Sequence, residues 1–153
     1  MYYGNKTISF CGSEIIVTYN AIYDITLKHD INFPEMINEF EKDGIVLSGF
    51  FGTASRTIED YLNNHGLKTI NSSKKEEYDK IGEESIILTL YNDNYDIFNM
   101  VHTINITKKD NKYYIHNNGY YSNLVPYNSI TDLLLRIKDG NPKDIFLIGI
   151  INN

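Results

Sequence analysis

With 153 residues the chain is long enough for one domain burying roughly 70% of its unfolded surface, and 42% hydrophobic with 22% charged residues excludes wholesale disorder. Twenty acidic against fourteen basic residues leave a net charge of −6, which argues against nucleic acid or an anionic membrane surface as the main partner. The longest apolar run, Ile145–Ile151, is far short of the roughly 18 residues of a membrane span, and Met1–Phe10 lacks the basic start and apolar centre of a secretory signal, so a cytosolic chain is the simplest expectation.

Helices are expected early in the chain and strands late. Cys11–Thr26 has helical spacing, with Ile15, Tyr19 and Ile22 on one stripe and Ile16 and Tyr23 beside it. Gly12 and Ser13 fall in its first turn, and Glu14 suits the positive helix end. A second helix starts at Pro34, buries Met36, Ile37 and Phe40, and stops at Gly44. Ile45–Phe51 is an apolar run broken by glycine. Thr53 or Ser55 caps a third helix through Ile58, Tyr61 and Leu62, ending at Gly66. Leu67–Ile70 reads as a short strand, and Ser72 or Ser73 opens one or two charged helical turns. Ser85–Tyr91 is a strand and Asn92–Asn99 a polar loop. Val101–Thr107 alternates Val101, Thr103, Asn105 and Thr107 against His102, Ile104 and Ile106, a half-buried strand with His102 on the inward face. Lys109–Asn111 turns the chain into a second hairpin strand, Lys112–Asn117. Tyr120–Val125 is a further strand. Ser129 caps a helix through Ile130, Leu133, Leu134 and Ile137 that Gly140 and Pro142 end, and Ile145–Ile151 closes the sheet. With no internal repeat or linker, residues 1–153 form one α+β unit with an antiparallel sheet.

One cysteine cannot make an internal disulfide, and four scattered histidines exclude a Cys-rich zinc framework. Cys11 precedes Gly12 at a helix start, where free amides and the helix dipole favour a thiolate and where glycine leaves room for a carbonyl. Without such a context a lone cysteine is a small buried hydrophobe. A thiol nucleophile needs a base, and the base needs an orienting acceptor. His102 begins a central strand, and hairpin register brings Asn117 or Asn118 near it; the alternatives are a core histidine and a plain Asn-Asn-Gly turn. Asn5 could donate to an oxyanion beside the Cys11 amide, although Asn is abundant throughout, at roughly one residue in eight. His116 alternates with Ile115 and is the rival base. His29 and His65 read as surface residues, and Lys74–Asp79 as a solvated charge run. The Gly-Phe-Phe-Gly turn at Gly49–Gly52 lacks the lysine of a phosphate loop.

Cys11-Gly12 opening an apolar helix, the Gly-Phe-Phe-Gly-Thr turn before a helix ending at Gly66, and a hairpin with His at one end and Asn at the other together resemble papain-like cysteine peptidases. The bacterial C39-like group is the nearest branch, and the likeness runs from about Asn5 to Ile151. It implies a papain-like fold, N-terminal helices packed on an antiparallel sheet, with Cys11 as nucleophile, His102 as general base and acid, Asn117 as orienter and Asn5 in the oxyanion position. Ser13 stands where the family often has Pro, Asn5 where it has Gln, and Asn117-Asn118 where it often has Asp-Pro. The implied activity is hydrolysis of a peptide or amide bond through an acyl-enzyme, with a peptide or protein as substrate and no metal or organic cofactor. Acyl transfer to an amine is the related outcome. A binding or regulatory module without turnover is the reading of a different class, since 13 tyrosines suit an interaction surface; an unrelated α+β domain with a structural cysteine is the third.

Overall fold

The computed structural model describes residues 1–7, 12–27, 31–43, 54–92, 101–116, 125–137 and 142–151. Their elements, in chain order, are β1 (Tyr2–Tyr3), β2 (Lys6–Thr7), α1 (Ser13–Thr26), α2 (Phe33–Asp43), α3 (Ser55–Asn64), β3 (Lys68–Ser72), a 3-10 helix (Lys75–Lys80), β4 (Ser85–Asn92), β5 (Val101–Lys109), β6 (Lys112–His116), α4 (Ile130–Arg136) and β7 (Pro142–Ile151). The order β3-β7-β4-β5-β6 makes a five-stranded sheet whose neighbours are all antiparallel. The fold class is thus α+β.

The sheet is covered on both faces, and strand alternation decides which residues go where. Ile87, Ile148 and Ile150 point to the layer of α1, α2 and α3, where Ile15, Met36, Phe40, Ile58 and Leu62 complete one core. Ile86, Leu88, Leu90, Ile104, Ile106 and Leu147 point the other way, against α4 and the Tyr78 and Ile81 side chains at the 3-10 helix. Each such fully buried aliphatic or aromatic side chain contributes about 1.5–3 kcal/mol. The charge run at Lys74–Asp79 is therefore anchored by Tyr78, its apolar member.

Burial corrects the expected half-buried strand. In β5 the polar partners Thr103 and Asn105 are as deeply buried as Ile104 and Ile106, because α1 lies over them. The Asn105 amide donates to Asp24 Oδ2 of α1 at 2.9 Å, 81 residues away in sequence. Buried polar groups are tolerated where a partner is supplied. The α1 stripe is likewise wider than expected. Val17, Thr18 and Ala21 join Ile15 and Ile22 in the interior, while Tyr19 is only partly buried and meets Phe33 edge-on at 5.4 Å.

Other boundaries shift for local reasons. Ala54 occupies the N-cap of α3 and Ser55 lies inside the helix, where its hydroxyl pairs with the Tyr91 hydroxyl at 2.7 Å instead of capping; Thr53 lies outside the described residues. Ser72 ends β3, and its hydroxyl accepts from the Lys74 amide. The α4 helix stops at Arg136, with Ile137 already extended, and Pro142 opens β7 instead of ending α4. Ser129 does cap α4, accepting from the Asp132 amide at 2.9 Å. The β5–β6 turn is Asp110-Asn111, both at positive φ, as a two-residue hairpin of the primed type requires. A small N-terminal hairpin, β1–β2, was not expected from the sequence. Expectations for Gly44, the 45–51 run, residues 93–99, residues 120–124 and Gly140 fall outside the described residues.

The α1 helix ends on Leu27, left-handed at φ 52 and 76% exposed, with its amide bonded to Tyr23 O. Glycine is the low-cost residue for that geometry. Leu27→Gly should raise stability by about 0.5–1 kcal/mol in denaturant unfolding; a loss of stability would mean that the leucine side chain holds a contact.

Candidate functional site

Among the described residues no side chain caps the start of α1. Gly12 takes the N-cap position at φ −103 and ψ 18, makes no side-chain cap bond, and accepts the Ile16 amide on its carbonyl at 3.0 Å. The amides of the first turn and the dipole of a 14-residue helix thus meet whatever precedes Gly12. Cys11 precedes it and lies outside the described residues, as do Asn117 and Asn118.

Helix directions determine what lies near that end. Ile22 and Thr26, late in α1, line one cleft with Tyr61 of α3 and His65 just beyond it, so α1 and α3 finish together. Ser55, first in α3, bonds Tyr91, which stands opposite Val101 in the sheet. The α1 and α3 helices therefore begin at the end of the sheet where β5 begins. Distances along the chain agree. From Asp24 back to Gly12 is about 18 Å of helix, and from its partner Asn105 back to His102 about 10 Å of strand, both toward that end. Asp43, last in α2, accepts from Thr57 of α3 on its carbonyl, so α2 finishes there too.

His102 sits at this end, half-buried, opposite Leu90 in the β4–β5 ladder. Alternation puts it on the sheet side of Ile104 and Ile106, whereas α1 covers the side of Thr103 and Asn105. The described residues thus bring His102 to the end where α1 starts, and to the opposite side of the sheet. Asn5 is the second residue of the Gly4-Asn5 turn between β1 and β2 and is exposed. The turn relies on Gly4 at φ 56, and the Gly4 amide donates to Glu41 Oε1 near the end of α2 at 2.7 Å, while Tyr3 is buried beneath with its hydroxyl on Phe40 O. Asn5 is accordingly near the same end. His116, the rival base, pairs with Asn105 in the ladder and meets the Thr107 hydroxyl at 2.7 Å on the α1 side, toward the far half of the sheet.

Several polar residues around α1 escaped the sequence reading. Glu14, one turn into α1, is 2% exposed. The Thr89 and Thr103 hydroxyls, opposite one another in the ladder, and Asn105 Oδ1 are buried under α1 with no hydrogen-bond partner among the described residues. Alternation with Ile104 and Ile106 signalled only that this face was polar.

The cleft lined by Ile22 and Thr26, of about 310 Å³, runs along α2 beside a second of about 240 Å³, and the two share Glu39 and Tyr61. Tyr61 stacks on His65 at 4.3 Å, and His65 Nε2 lies 2.9 Å from Glu39 Oε2. Burial, then the Glu39 and Glu35 carboxylates, push the Tyr61 hydroxyl up to about 12. Among the described residues no three His, Cys, Asp or Glu gather as a metal site, and no helix is long and apolar enough to cross a membrane. No protein-family model matches the chain, and no curated protein matches it either.

The Tyr61 hydroxyl sets a pH dependence. Unfolded, it ionises near its ordinary value of 10; folded, it keeps its proton to about 12. Between these values the folded chain binds more protons, so this stabilisation is present below about pH 10 and is lost as pH rises to about 12. The loss should be on the order of 1 kcal/mol after solvent screening and absent in Tyr61→Phe, as read from denaturant midpoints across that interval. Parallel pH curves for the two proteins would contradict it.

Proposed function

We propose that the chain is a cysteine hydrolase of papain-like, C39-like type acting on a peptide or amide bond. The observation that carries the reading is the start of α1, which no side chain caps among the described residues and which follows Cys11 in sequence, at the same end of the sheet as His102. A helix N-terminus lowers a thiol pKa, and only the thiolate is a competent nucleophile. Cys11 attacks the carbonyl carbon, and the acyl group passes to sulfur as the amine leaves. His102 protonates that amine and then takes a proton from the water that releases the acid. Asn117 orients the imidazole, and Asn5 with the Cys11 amide holds the oxyanion. Acyl transfer differs only in the acceptor, an amine in place of water.

A second reading has a specific observation in its favour. His102 takes the sheet side opposite α1, and Asn5 is exposed at a turn tip. Both suit a binding module on the same scaffold that does not turn over.

Alkylation kinetics separate the two. A hydrolase Cys11 should react with iodoacetamide in the folded protein near neutral pH, and His102→Ala should slow that reaction about tenfold or more as the thiolate loses its partner. Cys11→Ala should abolish peptide hydrolysis and leave the melting temperature within about 2 °C. Alkylation only after denaturation, or a rate indifferent to His102→Ala, would remove the hydrolase reading.

A further inference from the structure

Glu35, Glu39 and Asp43 recur every four residues along α2, so three carboxylates share one helix face, and Asp60 of α3 lines the same groove. Among the described residues neither cleft of the groove is lined by a lysine or an arginine. The first combines Glu35 and Glu39 with an apolar wall of Ile22, Ile31 and Leu67. The second is mostly polar, with Asp43 and Asp60 beside Thr57 and Asn64. Like charges four residues apart on a helix repel, and among the described residues only His65, at 2.9 Å from Glu39, answers them. Tyr61 stands between the clefts. It is 7% exposed, its hydroxyl has no hydrogen-bond partner among the described residues, and the fields of Glu39 and Glu35 reach that hydroxyl.

We infer that this groove docks a basic peptide segment bearing two lysine or arginine side chains. The first side chain lays its hydrocarbon stem on Ile22, Ile31 and Leu67 and sets its cation between Glu35 and Glu39, with the Tyr61 hydroxyl oxygen as a further acceptor. The second reaches Asp43 and Asp60. A bare metal ion has no use for the apolar wall, and a uniform polyamine does not distinguish one walled cleft from one open polar cleft; a peptide with separate side chains matches both. The inference stands apart from chemistry at Cys11, because a chain that never turns over presents the same groove.

The test uses the full chain and two blocked hexapeptides, Gly-Lys-Gly-Gly-Lys-Gly and its norleucine counterpart, which keeps the stem and removes the charge. NMR titration should show saturable shifts at His65 and Tyr61 with the lysine peptide and about tenfold weaker binding of the norleucine peptide, with affinity falling as salt rises. Combined Glu35→Gln and Asp43→Asn substitution should weaken the lysine peptide about tenfold, while Glu76→Gln on the 3-10 helix leaves it unchanged. All three carboxylates are exposed, and circular dichroism checks that the variants fold. Equal affinity for the two peptides, absence of saturable shifts, indifference to the double substitution, or spermidine binding as tightly as the lysine peptide would each overturn the inference.

Discussion

The arrangement of the helix layer depends on the bond between Asn105 and Asp24. It joins the middle of β5 to the last turns of α1 across 81 residues, on a strand face where Thr103 and Thr107 flank Asn105. An apolar helix laid on an apolar sheet face can slide or reverse at modest cost. A buried amide cannot, because an unmet partner costs about 1–3 kcal/mol. Asn105 is 1% exposed, so its carboxylate partner fixes where α1 sits and which way it points. That constraint and the Ser55–Tyr91 bond together bring the start of α1, the start of α3 and the start of β5 to one end of the sheet.

Sharing an end is what a thiolate site requires, and the dipole of α1 supplies the field for it. The route by which an imidazole reaches the sulfur is a separate question of side. His102 belongs to the ladder face of Ile104 and Ile106, and the helix belongs to the face of Thr103. A hydrolase needs the imidazole to meet the sulfur around the rim of the sheet, where β5 begins. A binding module needs no such meeting. The acidic groove along α2 serves either, as it draws on carboxylates of the helix layer and on nothing from β5.

Most elements are legible in the sequence because their signals are local. Helical spacing of Met36, Ile37 and Phe40, the Ser129 cap and the turn expected at Lys109–Asn111 each act within a few residues, and each appears, the turn narrowed to Asp110-Asn111 with Lys109 inside β5. What escaped was long-range. The burial of Thr103 and Asn105 depends on Asp24, which no pattern within β5 announces. Ser55 looked like a cap and instead serves Tyr91, 36 residues on. The short β1–β2 hairpin is held by Glu41 and by the Phe40 carbonyl, both from α2, and its own four strand residues carry too little pattern to read. Of the site residues, His102 stands near a strand start as its local pattern implied, and the side of the sheet it faces is set by the tertiary partners of β5; the turn that carries Asn5 was not legible, because contacts from α2 hold it.

The most direct measurement is the imidazole titration of His102, followed by NMR in the unmodified chain and in Cys11→Ala. A thiolate in contact with the ring holds the imidazolium, so the His102 midpoint should fall when the sulfur is removed, with the other three histidines unmoved. Superimposable His102 curves would mean that sulfur and ring do not meet, and the proposed hydrolytic site would not exist.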